Sequence, residues 1–307
     1  MIVYQAPMEG ITGYIFRNAL HDLKDNGIVK FFTPFIVPRP KKGMQDKERR
    51  DLLPGNNPGI KLIPQILCNR AGDFLALADE IHEKYGWDEF NLNAGCPSGT
   101  VTSHNKGAGM LRDTEELKRF LDSIFSHSSL RISVKTRLGI DDEREFEKLL
   151  PLYESFPLCE LIVHARVLAD QYRGPARYRY FNDVAARCRL PLIYNGDIFT
   201  PEDPARMFDG SGAEAGLMLG RGLIADPALG RELNGGEPLS TQEFSSFYEN
   251  IYTQYCSCFD SDMPLLYHMK ELWSYWAGRF PEEPRLLKAI QKSKRRSDYE
   301  EVIRRIL

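Results

Sequence analysis

Eight short apolar runs, each followed by a stretch that is not strand-like, constrain this chain more than any other feature. In order they are IVYQAP (2–7), KFFTPF (30–35), LIPQIL (62–67), EFNLN (89–93), ISVKTR (132–137), LIVHAR (161–166), LIYNGD (192–197) and GLMLGR (216–221). They are rich in β-branched and aromatic residues and do not alternate cleanly, which is how strands buried on both faces of a parallel sheet read. Helical period appears between them at 13–25, 72–85, 114–125, 142–156, 180–188 and 201–208. Asp113 and Thr200 stand in N-cap positions and Pro201 in a first helical position. The segment after the second run, with its Lys, Arg, Gly and Pro, reads mostly as loop. Eight βα repeats predict a TIM (β/α)8 barrel ending near residue 235. An open doubly wound sheet is the alternative, but the first βα turn, APMEGITG, lacks the GxGxxG expected there.

Past ELNGGEPLS (232–240) the pattern is helical only, through FSSFYENIYTQYC, PLLYHMKELWSYWAGRF and EPRLLKAIQKSK to EEVIRRIL. This predicts two domains, a barrel over 1–235 and a small helical bundle over 236–307. No run approaches the roughly 18 apolar residues of a membrane span, and MIVYQAPMEG has no basic segment leading into an apolar one. A cytoplasmic protein with no membrane partner is expected.

Six cysteines, at 68, 96, 159, 188, 256 and 258, form no CxxC pair and have no His-x3-5-His to complete a zinc site. No metal and no disulfide framework is expected. Cys68, Cys159 and Cys188 adjoin apolar segments and read as core thiols; Cys256 and Cys258 read as helical and structural. The net charge is −3, but 30–50 holds seven basic and two acidic residues and 285–307 eight basic and three acidic. Two separated basic clusters suit a nucleic acid laid across one face, although either alone reads equally as a solvated surface.

In a TIM barrel the loops at the C-terminal ends of the strands build the site, and this chain puts unusual polar residues at nearly every one. Pro7, Met8 and Glu9 follow the first run, Gln65 lies in the third, and Asn91, Asn93 and Cys96 end the fourth. Lys135 and Arg137 share one face of the fifth, and His164 and Arg166 one face of the sixth. Asn195-Gly196-Asp197 and Gly220-Arg221-Gly222 close the seventh and eighth. Cations inside a barrel mouth cost several kcal/mol of desolvation unless anions compensate, so an anionic ligand is predicted. A phosphate by the last two loops, an apolar slot at Met8, and Gln65 and Lys135 against a polar heterocycle describe a flavin mononucleotide site. There is no glycosidase carboxylate pair, HExxH or GxSxG.

Cys96 lies between Gly95 and Pro97, outside any apolar run. It reads as a buried thiol, a nucleophile that needs a base, or a general acid. A thiol with a pKa near ~8.5 is protonated at neutral pH and can supply the proton that reduction of a conjugated C=C requires.

Taken together, APMEG (6–10), Gln65, LNAGCPS (92–98), GAGML (107–111), VKTRLG (134–139), VHAR and YRGPA (163–176), YNGDI (194–198) and LGRG (219–222) resemble the tRNA-dihydrouridine synthase family. That resemblance implies an FMN enzyme, reduced by NADPH, that acts on a uridine of tRNA. Pro7, Met8, Glu9, Gln65, Lys135, His164, Asn195, Gly196, Asp197, Gly220 and Arg221 would bind FMN. Asn93 would hold the uracil and Cys96 would protonate C5 after hydride arrives at C6. Arg137 and Arg166 would face the substrate or the cofactor phosphate, and Lys106 and Arg173 the RNA. His164-Ala165-Arg166 departs from the more usual His-Gly-Arg. The GAG close of the cysteine loop is expected to let that loop shut over a flipped base. APMEG and HMKELWSYW resemble the bacterial C subgroup, which acts at position 16 of the D-loop, and the helical tail resembles an RNA-binding domain. A monomer is expected. The competing readings are an FMN barrel reductase of a free pyrimidine or dihydroorotate type, and a noncatalytic RNA-binding barrel.

Overall fold

The computed structural model describes residues 1–208 and 215–307. Its strands are β1 Val3–Gln5, β2 Lys30–Phe32, β3 Leu62–Ile63, β4 Gln65–Ile66, β5 Glu89–Ala94, β6 Arg131–Gly139, β7 Leu161–Val167, β8 Leu192–Asn195 and β9 Gly216–Leu219. All pair in parallel, in the order β3-β2-β1-β9-β8-β7-β6-β5-β4. The third predicted strand is thus two, because Pro64 has no N–H to give the ladder. β3 pairs with β2 and β4 with β5, and the Pro64 carbonyl accepts from the Asn91 amide at 3.0 Å. The two ends of the strand order are therefore joined by one residue, and the sheet closes into the expected TIM barrel.

Inward side chains stack in levels. At the N-terminal end of the strands, Lys30 Nζ reaches Glu89 at 2.5 Å and Glu160 at 2.7 Å, and the Tyr4 hydroxyl donates to Glu160 at 2.5 Å. An apolar level of Tyr4, Phe32, Ile63, Ile162, Ile193 and Met218 fills the middle. Above it a polar ladder leads to the mouth: the Asn91 amide donates to Ser133 at 2.8 Å and Gln65 donates to Asn91 at 2.7 Å.

Around the barrel, Asp113 caps the helix Thr114–His127 as expected, accepting from the Glu116 amide at 2.9 Å. Thr200 does not cap. The helix starts at Asp203, whose carboxylate reaches back to the Phe199 and Thr200 amides at 2.8 Å each, and Pro204, not Pro201, occupies the first turn. The carboxylate sits in the first turn, where the helix dipole favours a negative charge, and ties the preceding loop to that turn. The segment after β2 is also less loop-like than its composition predicts. It contains the helix Asp46–Leu52, started by a capping box in which the Gln45 amide donates to Glu48 at 2.6 Å.

After residue 240 come the helices Thr241–Cys258, Asp262–Trp276, Pro284–Lys292 and Arg296–Ile306. Their shared core holds Phe244, Trp273, Trp276 and Tyr299, and the Trp273 indole N–H donates to the Tyr299 hydroxyl at 2.9 Å. That core runs on into the barrel's: Phe16 and Phe247 pack edge to face with centroids 5.9 Å apart, and the Trp276 N–H donates to the Ile224 carbonyl at 2.9 Å. The helix Asp262–Trp276 is thereby held against the barrel mouth. Cys68 is buried in the core, while Cys159 and Cys188 are half-buried. Among the described residues no helix is long and apolar enough to cross a membrane, and no acidic, His or Cys group is arranged to hold a metal.

Candidate active site

A cavity of ≈ 490 Å³ opens at the C-terminal ends of the strands. Every residue assigned above to the cofactor lines it, and so do Asn93, Cys96, Arg137 and Arg166. Lys106 and Arg173 are not among its walls; Arg173 is exposed on the loop beyond β7.

One end of the cavity is cationic. Arg166 pairs with Asp197 at 2.5 Å, and Arg221 reaches the other oxygen of the same carboxylate at 3.0 Å. This needs the sharp turn at Asn195-Gly196-Asp197. Gly196 has φ +150°, and a Cβ there would stand 2.9 Å from Ala176 Cβ and 3.0 Å from the Tyr194 hydroxyl, so only glycine fits. Arg166 Nη1 also donates to His164 Nε2 at 3.1 Å. Burial, then Lys135 and the three arginines around it, push the His164 pKa well below its ordinary value, so the ring is neutral with its proton on Nδ1. Lys135 Nζ donates to Asn195 at 2.8 Å. Burial first and the Arg137 charge second push its pKa down to about 7. Of the carboxylates on the wall, Glu9 is already held by Lys47 at 2.8 Å on the rim. Arg137 Nη2 and Arg166 Nε are buried without a hydrogen-bond partner among the described residues. A depressed lysine and two orphaned guanidinium nitrogens are the marks of a site built for an anionic, acceptor-rich ligand.

The other end is organised around Cys96. Asn93 Oδ1 accepts from the Gly95 amide at 3.1 Å and the Cys96 amide at 2.9 Å, while its Nδ2 donates to Gln65 at 2.8 Å. The amide therefore folds the cysteine loop and keeps one N–H for a ligand. Arg137 braces the same loop, donating from Nε to the Gly95 carbonyl at 2.8 Å and from Nη1 to the Val167 and Gln171 carbonyls at 2.9 and 2.8 Å. Burial raises the Cys96 pKa, against smaller opposing pulls from the Ser98 backbone and the Arg137 and Lys135 charges. The half-buried thiol keeps its proton at neutral pH.

Gly107 and its neighbours do not form a lid. Gly107–Arg112 is a 3-10 segment, largely buried, and the Ala108 amide donates to the Cys96 carbonyl at 3.0 Å. A Cβ on Gly107, whose φ is +56°, would lie 2.7 Å from that carbonyl oxygen. The GAG close is a clamp that fixes the cysteine, and the expectation that it lets the loop shut is corrected by this packing.

Of the wall residues with a polar side chain, three escaped the sequence reading. Tyr172, 57% exposed, lies under the Arg137 and Arg221 guanidiniums at 5.3 and 5.9 Å from its ring centroid. Its signal was available: an aromatic in a Gly-Pro loop directly after a barrel strand. Glu271 and Tyr275 come from the helix Asp262–Trp276, and burial raises the pKa of both. Nothing local in the tail says that one of its helices reaches the barrel mouth.

The family model described as dihydrouridine synthase (Dus) matches residues 4–304. A tRNA-dihydrouridine(16) synthase of Cupriavidus necator is 27% identical over 98% of this chain and 96% of its own length. The protein of the same name from Neisseria meningitidis is 27% identical over 91% of this chain and 85% of its own. A tRNA-dihydrouridine synthase B of Serratia marcescens is 28% identical over 74% of this chain and 67% of its own. Among solved structures, 2-naphthoyl-CoA reductase aligns over 77% of this chain and 50% of its own at TM-score 0.56 and 11% identity. A variant of NCR from Zymomonas mobilis aligns over 80% and 90% at TM-score 0.51 and 14% identity. These two establish the barrel alone. With its barrel mouth built from the motifs that the family model spans, the chain belongs to the dihydrouridine synthase family, the flavin-dependent oxidoreductases that act on uridine in tRNA.

Proposed function

We propose that this chain reduces the C5=C6 bond of a D-loop uridine of tRNA, at position 16, to 5,6-dihydrouridine, with FMN as its flavin and NADPH as its reductant. The observation that carries the reading is the protonated Cys96 thiol on the wall of the same cavity as the cationic Lys135, Arg166 and Arg221. A cavity of ≈ 490 Å³ is within the range of cofactor sites, and its orphaned guanidinium nitrogens answer the acceptors of a phosphorylated flavin.

Arg166 and Arg221 would hold the phosphate, with Asp197 fixing both guanidiniums. Gly196 and Gly220 keep that wall at backbone level, and Pro7, Met8 and Glu9 form the rim beside it, with Met8 Sδ 3.4 Å from where a Cβ on Gly220 would stand. Gln65, Lys135, the His164 Nδ1–H and Asn195 would meet the polar edge of the ring system. The chemistry that FMN would supply when bound, with NADPH to recharge it, is the hydride that C6 of the uracil takes. Cys96 gives its Sγ proton to C5, and burial keeps that proton in place until it is needed. The remaining N–H of Asn93 and the unpartnered Nη2 of Arg137 are donors for the uracil carbonyls, where they would polarise the conjugated double bond. Arg137 braces the cysteine loop and Arg166 the Asp197 turn, so the two arginines divide between substrate and phosphate. The helical segment 236–307, with Lys106 and Arg173, is assigned to the RNA backbone. Position 16 is supported by the two relatives that match over 98% and 91% of this chain, both of which carry that number in their names. A cytoplasmic monomer completes the proposal.

The test is to purify the protein, record its flavin spectrum, and map dihydrouridine after incubation with NADPH and tRNA from a strain lacking the enzyme. Cys96→Ala should keep the flavin and lose roughly 10²- to 10⁴-fold in product formation. The wild-type rate should fall on the alkaline side only above ~8.5, the value of an ordinary thiol. Full activity in Cys96→Ala overturns the proton-donor role; reduction of free uracil or dihydroorotate in place of tRNA overturns the substrate.

A further inference from the structure

A second cavity of ≈ 330 Å³ lies beside the first, walled by barrel loops on one side and by the helices Thr241–Cys258 and Asp262–Trp276 on the other. Glu9 and Phe35 line both cavities, so the two are continuous around one rim. The helical wall carries stacked rings. Tyr255, Phe259 and His268 have ring planes within 9–18° of one another and centroids 5.1–6.0 Å apart. His268 Nδ1 lies 3.2 Å from the Gly10 carbonyl, which fixes the ring against the first barrel loop and leaves Nε2 as an acceptor. Burial keeps that imidazole neutral.

The carboxylates around the cavity are engaged. Asp51 accepts from the Tyr14 amide at 2.6 Å and lies 3.6 Å from Arg17, Glu48 pairs with Arg39 at 2.7 Å, and Glu9 with Lys47 at 2.8 Å. Arg50, also on the wall, makes no ion pair among the described residues. It belongs to the basic segment 30–50. A stack of nearly parallel rings next to a guanidinium without an ion pair among the described residues, opening onto the rim of the active site, offers what a nucleotide needs: an aromatic face for the base and a cation for the phosphate.

We propose that this cavity takes the base of a nucleotide flanking the reduced uridine, stacked on Phe259 and His268 with its phosphate on Arg50, so that two neighbouring bases are drawn out of the RNA together. The inference rests on the tRNA reading above and deepens it. A base seated here anchors the backbone one nucleotide away from the reacting ring. Part of the unstacking cost of presenting the uridine is then recovered at a site that does no chemistry.

The experiment uses the flavin-loaded full chain with tRNAs carrying a single abasic nucleotide on either side of the target uridine. Stacking of one base predicts that one of these substitutions lowers kcat/KM for wild type by roughly 5- to 150-fold. Phe259→Leu, which keeps apolar volume and removes the ring, should lose a similar factor on intact tRNA and lose nothing more on that abasic tRNA. Its flavin absorbance and its KM for NADPH should match wild type. Multiplicative losses in variant and abasic tRNA overturn the proposal, as does a raised KM for NADPH, which would seat the adenine of that cofactor here instead. If neither abasic tRNA costs wild type more than about twofold, it is overturned without any variant. Absence of dihydrouridine from wild type on intact tRNA removes the functional reading itself, and this one with it.

Discussion

Lys30→Met should destabilise the barrel at its N-terminal end while leaving the chemistry at the mouth in place. Among the described residues Lys30 is the one cation that bridges Glu89 and Glu160, at 2.5 and 2.7 Å, and both it and Glu89 are almost fully buried. Among the described residues Glu160 has further help only from the Tyr4 hydroxyl, its second oxygen being buried without a partner there, and Glu89 from the partly exposed Arg131 at 3.2 Å. Removing the lysine leaves two carboxylates facing a low-dielectric interior, and breaking a buried ion pair on one side costs about 3–5 kcal/mol. For a chain of this length about 2 °C is lost per kcal/mol, so Tm should fall by roughly 6–10 °C. Lys30→Met combined with Glu89→Gln and Glu160→Gln removes the charges together, keeps an acceptor for Tyr4, and should recover most of the loss. Urea denaturation followed by circular dichroism, with flavin absorbance as the check on the mouth, measures both. A single variant within about 1 kcal/mol of wild type, or a triple variant no better than the single, refutes the reasoning.

Two further predictions concern the mouth. Gly107→Ala puts a Cβ 2.7 Å from the Cys96 carbonyl at a φ of +56°, so it should displace the cysteine and cut kcat at least about tenfold while flavin binding, read by absorbance, is kept. Lys135, pushed down to about 7 by burial and Arg137, is largely neutral at pH 8 in the apoprotein. An anionic ligand raises its pKa again, so FMN binding at pH 8 should take up close to one proton and weaken as pH rises from about 7 to 9. Without ligand the sign is opposite for folding. The unfolded chain binds the extra proton between about 7 and 10.4, so this group makes the apoprotein gain stability as pH rises through that window. Calorimetry in buffers of different ionisation enthalpy measures the uptake; no net proton exchange, or an unchanged uptake in Lys135→Met, contradicts it.

Much of the site was legible because strands fix spacing. Once LIVHAR and ISVKTR are read as strands, alternation alone puts His164 with Arg166 and Lys135 with Arg137, and both pairs line the cavity. Asp113 was legible as a cap because the interaction is local, three residues to the Glu116 amide. Thr200 was misread because the partner that organises this turn lies ahead of it: Asp203, from inside the helix, takes the amides of Phe199 and of Thr200 itself, and residue type at position 200 does not announce that. The cysteine loop was read as mobile from its glycines. Those glycines are small to let the chain pack closely, Gly107 onto Cys96 and Gly109 onto Thr102, which only the tertiary contacts reveal.

The sequence by itself determined the barrel, the chemistry at its strand ends and the family, because hydrophobic period and side-chain alternation are local properties of the chain. Tertiary structure decided how the sheet closes at Pro64, where Lys30 finds its two carboxylates, and that the helix Asp262–Trp276 brings Glu271 and Tyr275 to the mouth. It also set the protonation of Cys96, Lys135 and His164, since burial and the charges gathered around a group come from segments far apart in the chain.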